Sequence, residues 1–121
     1  QQLNNKQLSL AVWSLSKQVA AKHIAMDDSA LQFVDAVAAH AVASTVMDQH
    51  PNRACEHWSR MLYGIAKMGI KCEERPAIQH LFDLAVHRMS AMLQKGQRCE
   101  AQSMSNALWA FAVAGYRGSL K

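Results

Sequence analysis

Apolar residues recur every three or four positions through most of this chain, and short polar breaks divide the pattern into five amphipathic stretches. The first spans about residues 5–25, with Leu8, Val12, Leu15 and Val19 on one stripe. The second spans about residues 30–48, behind the cap signal Asp27-Asp28-Ser29. Its stripe is Leu31, Val34, Val37, Ala38, Ala41, Thr45 and Val46. His50-Pro51-Asn52 breaks the chain, because proline disfavours helix in the residue before it. The third stretch spans about residues 53–68 and stops at Gly69, placed for a left-handed cap. Pro76 opens the fourth, about residues 76–94, which stops at Gly96 and carries the stripe Ile78, Leu81, Phe82, Ala85, Met89 and Met92. The fifth covers about residues 99–114 and stops at Gly115. β-branched residues never alternate as they do in strands, so the pattern predicts an all-α fold.

Three of the five helices repeat one block. Leu8-Ser9-Leu10-Ala11-Val12-Trp13-Ser14-Leu15-Ser16 returns as Trp58-Ser59-Arg60-Met61-Leu62-Tyr63-Gly64-Ile65-Ala66 and as Met104-Ser105-Asn106-Ala107-Leu108-Trp109-Ala110-Phe111-Ala112. The aromatic falls at Trp13, Tyr63 and Trp109, offsets of 50 and then 46 residues. Recurrence near this period predicts stacked repeats, with function spread along a surface rather than gathered in one pocket. The order is A-B-A-B-A, where A helices carry the block and short links fold neighbours back as hairpins. The expected architecture is an α-solenoid of stacked antiparallel helical hairpins, about two and a half repeats in one domain. Repeat 1 covers about residues 5–50, repeat 2 about 53–96 and a partial repeat 3 about 99–115, as part of a longer array. Within the block, aliphatic and small positions at i, i+3 and i+4 face the core. Trp13, Leu62, Ile65, Leu108 and Phe111 are therefore expected to be buried, with Tyr63 and Trp109 as packing residues on the same side.

Composition narrows the class. Half of the 121 residues are hydrophobic, yet the longest apolar stretch is alanine-rich, broken by His40 and too short to span a bilayer. Three widely spaced cysteines, Cys55, Cys72 and Cys99, do not make a disulfide framework and are read as reduced thiols of a reducing compartment. The net charge of +4 is uneven: residues 1–50 balance at −1 and residues 51–121 at +5. That excess suits a polyanionic partner, and equally an ordinary solvated surface. His50, Cys55 and His57 are spaced H-x₄-C-x-H, and His80 and His87 sit seven apart. Neither spacing offers zinc a four-ligand set. No ordered nucleophile–base arrangement and no Gly-rich phosphate loop is readable, so neither enzyme chemistry nor a cofactor is expected.

The stretch Ser105-Asn106-Ala107-Leu108-Trp109-Ala110-Phe111-Ala112-Val113-Ala114-Gly115-Tyr116 closely resembles the octotricopeptide repeat, whose A helix reads roughly N-x-L-W-A-L-A-x-L-G. Met61-Leu62-Tyr63-Gly64-Ile65-Ala66-Lys67-Met68-Gly69 fits with tyrosine for tryptophan, while Ala11-Val12-Trp13-Ser14-Leu15-Ser16-Lys17 lacks the closing glycine. The family's period is shorter than the offsets here, and its proline–glutamate cluster survives only as an echo in Glu73-Glu74-Arg75-Pro76. The resemblance implies a helical-repeat scaffold that binds RNA or a ribonucleoprotein, in chloroplast or mitochondrial RNA metabolism or ribosome assembly. Leu15-Ser16-Lys17 also resembles the SKWP-type repeats of bacterial type III effectors, which act in the host cytosol.

Helical repeats that read RNA do so with polar side chains early in each A helix, in register along one face. Here those are Ser9, Ser59 with Arg60, and Ser105 with Asn106, supported by Arg53, Lys67, Arg98 and Arg117 near helix ends. Each has a plainer role as well: the serines begin or pack their helices, and the cations solvate helix termini. The alternative function is a protein–protein scaffold, either a structural subunit of an organellar complex or an effector repeat.

Overall fold

The computed structural model describes residues 5–21, 26–43 and 51–118, with few side chains described at the segment edges. These residues form five α-helices and no strand: α1 (Asn5–Ala20), α2 (Asp28–Ala43), α3 (Pro51–Lys67), α4 (Pro76–Gln94) and α5 (Ala101–Val113). A 3-10 turn, Cys72–Glu74, sits in the link before α4. The fold class is all-α, as the pattern predicts.

Helix ends follow the local chemistry. The Ala30 amide donates to Asp27 Oδ1 at 3.0 Å, so Asp27 caps α2. Pro76 occupies the first turn of α4 behind an extended Arg75, and Pro51 likewise begins α3 rather than preceding it. Gly69, Gly96 and Gly115 follow α3, α4 and α5 with φ of +80°, +77° and +71°, the left-handed caps expected of them. The helix expected over residues 5–25 ends at Ala20, and residues 44–48 of the second expected helix lie outside the described residues.

The odd helices form one layer, α3 packing between α1 and α5, while α2 packs against α4. Three rungs join α3 to α5: Cys55 to Cys99, Ser59 to Ser103, and Tyr63 to Trp109. They climb both helices in the same sense, so α3 and α5 run parallel. The core is made by Trp58, Met61, Leu62 and Ile65 of α3 against Ile78, Leu81 and Phe82 of α4, all fully buried. All six residues of the expected α4 stripe are buried, as are Val12 on α1 and Val34, Val37, Ala38 and Ala41 on α2. Leu15, Val19 and Leu31 pack at the margin; Leu8, Thr45 and Val46 lie outside the described side chains.

Polar ties fix the far ends. Arg75 grips Asp35 with both ends of its guanidinium, at 2.7 to 3.1 Å, clasping α4 to α2. Hydrogen bonding to Asp35 raises the Arg75 pKa still further above its ordinary value. The Cys72 amide donates to Ala114 O at 2.9 Å and Lys71 Nζ donates to Val113 O at 2.6 Å, holding the end of α5. Phe111 and Tyr116 pack on Phe82, and Tyr116 Oη donates to Asp83 at 2.6 Å.

Two expected burials are corrected. Trp13 is 37% exposed and Leu108 62% exposed, whereas Leu62 and Ile65 are fully buried and Phe111 half-buried. Trp13 follows Val12 by one residue, a rotation of roughly 100° on a helix, which carries it from the core stripe to the rim. Leu108 is exposed because no helix covers that side of α5 among the described residues.

The cysteines are corrected too. Cys55 and Cys99 are joined as a disulfide across α3 and α5, with Cα atoms 5.6 Å apart, inside the span such a bridge covers. Only Cys72 is a free thiol, and it is buried. Burial, and then the negative charge of Asp83, push its pKa from an ordinary 9.0 to about 11. The folded thiol thus holds its proton more tightly than the unfolded one. Its contribution to stability is complete below about pH 9 and is lost as pH rises towards 11. We expect the urea midpoint of the wild type to fall more steeply over that window than that of Cys72→Ala. Parallel curves would show that the thiol does not titrate in the fold.

Candidate nucleic-acid interface

The repeat block places three rows of side chains along the outer face of the odd helices. The middle row is aromatic: Trp13, Tyr63 and Trp109. Tyr63 and Trp109 meet with ring centroids 5.0 Å apart, and Trp13 and Tyr63 line one groove. None of the three belongs to the core; Trp109 is 42% exposed. Tyr63 and Trp109 do brace α3 against α5, but the expected burial of the aromatics as packing residues is corrected: the three form a partly solvated ladder.

One turn further along α1 and α3 stands a cation. Lys17 Nζ lies 4.7 Å from the centroid of the Trp13 ring, and Lys67 Nζ lies 5.9 Å from that of Tyr63. The spacing i to i+4 brings each ammonium onto its own aromatic. The matching residue on α5 is Val113, so the cationic row has two members.

On the other side of the aromatics, one residue after each matched serine, come Leu10, Arg60 and Asn106. Arg60 and Asn106 share a groove of about 310 Å³ with Trp13, Ser59, Tyr63 and Gln102. Arg60 pairs with Glu56 at 3.1 Å, one turn away, and Asn106 Oδ1 accepts from Gln102 at 3.0 Å. Glu56 and Glu100 also line this groove, so acidic groups are not confined to α2 and α4. The charge of Arg60 is met locally, and the positive charge of this face stands on Lys17 and Lys67.

The remaining candidates scatter. Ser59 is buried, and its hydroxyl donates to Ser103 O at 2.7 Å, tying α3 to α5 at the groove floor. Ser105 is exposed on the outward side of α5, away from the groove. Arg98 is largely exposed with Glu100 3.9 Å away, and Arg117 is exposed beyond the end of α5. The side chains of Ser9 and Arg53 lie outside the described residues, although their backbones belong to α1 and α3.

Sequence reasoning passed over Trp109, Gln102 and Lys17 as surface groups. A signal was present: each aromatic stands one residue from a core-facing position, Val12, Leu62 and Ala110, and a lysine follows two of them by four residues. Among the described residues no three His, Cys, Asp or Glu side chains gather as a metal cage, and no helix is long and apolar enough to cross a membrane. No family model matches the chain, and neither characterised proteins nor solved structures give a match.

Proposed function

We propose that this chain is a non-catalytic scaffold of stacked helical hairpins that binds single-stranded RNA, free or within a ribonucleoprotein, along the face of its odd helices. The observation that carries the reading is the partly exposed aromatic ladder Trp13–Tyr63–Trp109 with Lys17 and Lys67 beside it. Proteins that hold single strands combine aromatic platforms, on which bases stack, with a cationic track for the phosphates. Asn106, Gln102 and Arg60 stand where they reach the edges of stacked bases. The layering of α1, α3 and α5 against α2 and α4 supports the solenoid arrangement, and the resemblance to octotricopeptide repeats points to work in an organelle.

The test is binding of a labelled single-stranded RNA, followed by anisotropy between roughly 50 and 200 mM salt, where affinity should fall steeply. Lys17→Ala with Lys67→Ala should weaken binding and flatten the salt slope by about 1.4, roughly 0.7 for each phosphate of a single strand no longer neutralised. Trp13→Ala with Trp109→Ala should cost about 1–3 kcal/mol per stacked base at every salt concentration. Absence of binding in low salt, or binding indifferent to both variants, rejects the reading in favour of a protein–protein scaffold.

A further inference from the structure

Each helix of the odd layer carries an aliphatic knob on one side and a small residue on the other. Val12 of α1 presses on Gly64 of α3: a Cβ at Gly64 would stand 3.0 Å from Val12 Cγ1 and 3.4 Å from the Val12 carbonyl oxygen. One repeat later the knob is Leu62 and the small residue is Ala110 of α5, and both are fully buried. The third knob in this series is Leu108, bare at 62% exposure. The small residue that would precede Gly64 in the series is Ser14 of α1, and it is exposed as well. Among the described residues the layer thus ends at α5 in an uncovered knob and at α1 in an uncovered seat.

The flanks of the two edges agree with this. On α5 the stripe Ser103, Ala107, Ala110 and Ala114 is buried, with the Ser59 bond fixing it to α3. In the same register α1 turns Gln7, Ala11, Ser14 and Gln18 outwards; Ala11 is half-buried and the other three are exposed. Two small residues at the centre allow close approach, and glutamines on either side make a polar rim, the distribution expected of a non-obligate interface.

We infer that the outward face of α5 docks on the outward face of α1 of a second copy of this chain. The register is that of α5 on α3, so Leu108 of one copy seats at Ser14 of the next. A second copy is the occupant because both halves of the contact lie on this chain, at opposite edges. They continue two interfaces the chain already makes. The two surfaces differ, so the contact is head-to-tail, and without a closing rotation it generates open chains rather than a fixed dimer. This rests on the stacked-hairpin reading but not on RNA, and it is tested without nucleic acid.

Sedimentation equilibrium of wild type, Leu108→Glu and Ser14→Glu decides it. Both substitutions are at exposed sites, and circular dichroism confirms that the helices persist. For wild type the average mass should climb with concentration from 13.4 kDa past that of a dimer. Each variant alone should associate at least tenfold more weakly. Mixed in equal amounts the two variants should form a 1:1 dimer and stop there, because one intact α5 face meets one intact α1 face. The proposal is overturned by a wild type that stays monomeric or halts at a dimer. It is equally overturned by a Leu108→Glu chain that associates as tightly as wild type, or by variants that remain apart when mixed.

Discussion

Replacing Trp58 by alanine is expected to remove about 3–5 kcal/mol of stability. Trp58 is 1% exposed at the centre of α3, the helix that touches both of its layer neighbours and α4. Removing an indole there leaves a cavity that three helices must close together. Urea unfolding followed by circular dichroism measures the loss, and Leu108→Ala is the comparison. A buried leucine truncated to alanine costs about 2–5 kcal/mol, whereas an exposed one falls within roughly 0.5 kcal/mol. Leu108 occupies the repeat position of Leu62 but not its environment. The comparison is made at a concentration where the chain is monomeric, and a loss at Leu108 comparable to that at Trp58 would then mean that the chain itself covers that side of α5 in solution.

Reduction is expected to cost about 2–4 kcal/mol, because the Cys55–Cys99 bridge closes a long loop in the unfolded chain. The two residues are 44 apart in sequence, so the bridge restricts both the link after α3 and the whole of α4. Cys99→Ser should match the reduced protein, and adding reductant to that variant should change nothing further. Identical urea midpoints for the oxidised and reduced wild type would show that the thiols are not bonded in solution. The bridge ties the start of α3 to the segment preceding α5, below the groove that holds Arg60 and Asn106. Its loss should therefore loosen that end of the groove more than the Trp13 end.

Much of this architecture was legible in the sequence because helices announce themselves locally. The stripe from Ile78 to Met92, the proline opening α4 and the glycines closing α3, α4 and α5 each depend on neighbours within a turn or two. The alignment of Tyr63 with Trp109 on parallel helices agrees with the recurring sequence block, which puts the two aromatics at matching places on α3 and α5. What failed was long-range. Whether Leu108 is covered depends on what packs against α5, and the pairing of Cys55 with Cys99 depends on a juxtaposition across forty-four residues. The aromatics were misjudged for a subtler reason. Trp13 and Trp109 have apolar neighbours in sequence, but one helical step separates a stripe from its rim, and composition does not encode that rotation. For the candidate interface, the repeat register put Arg60 beside Asn106, and the two do line one groove. The aromatic ladder running beside them was not foreseen as a surface.

The hydrogen bond from the Cys72 amide to Ala114 O closes the last helix with a donor that lies far upstream. Helix C-termini leave carbonyls without partners inside the helix, and here the 3-10 link after α3 supplies one. That single backbone proton consequently reports on a distant event. Its exchange with deuterated solvent is slow only while α5 is seated, so the Cys72 amide serves as an internal clock for the undocking of α5, whatever the rest of the molecule is doing.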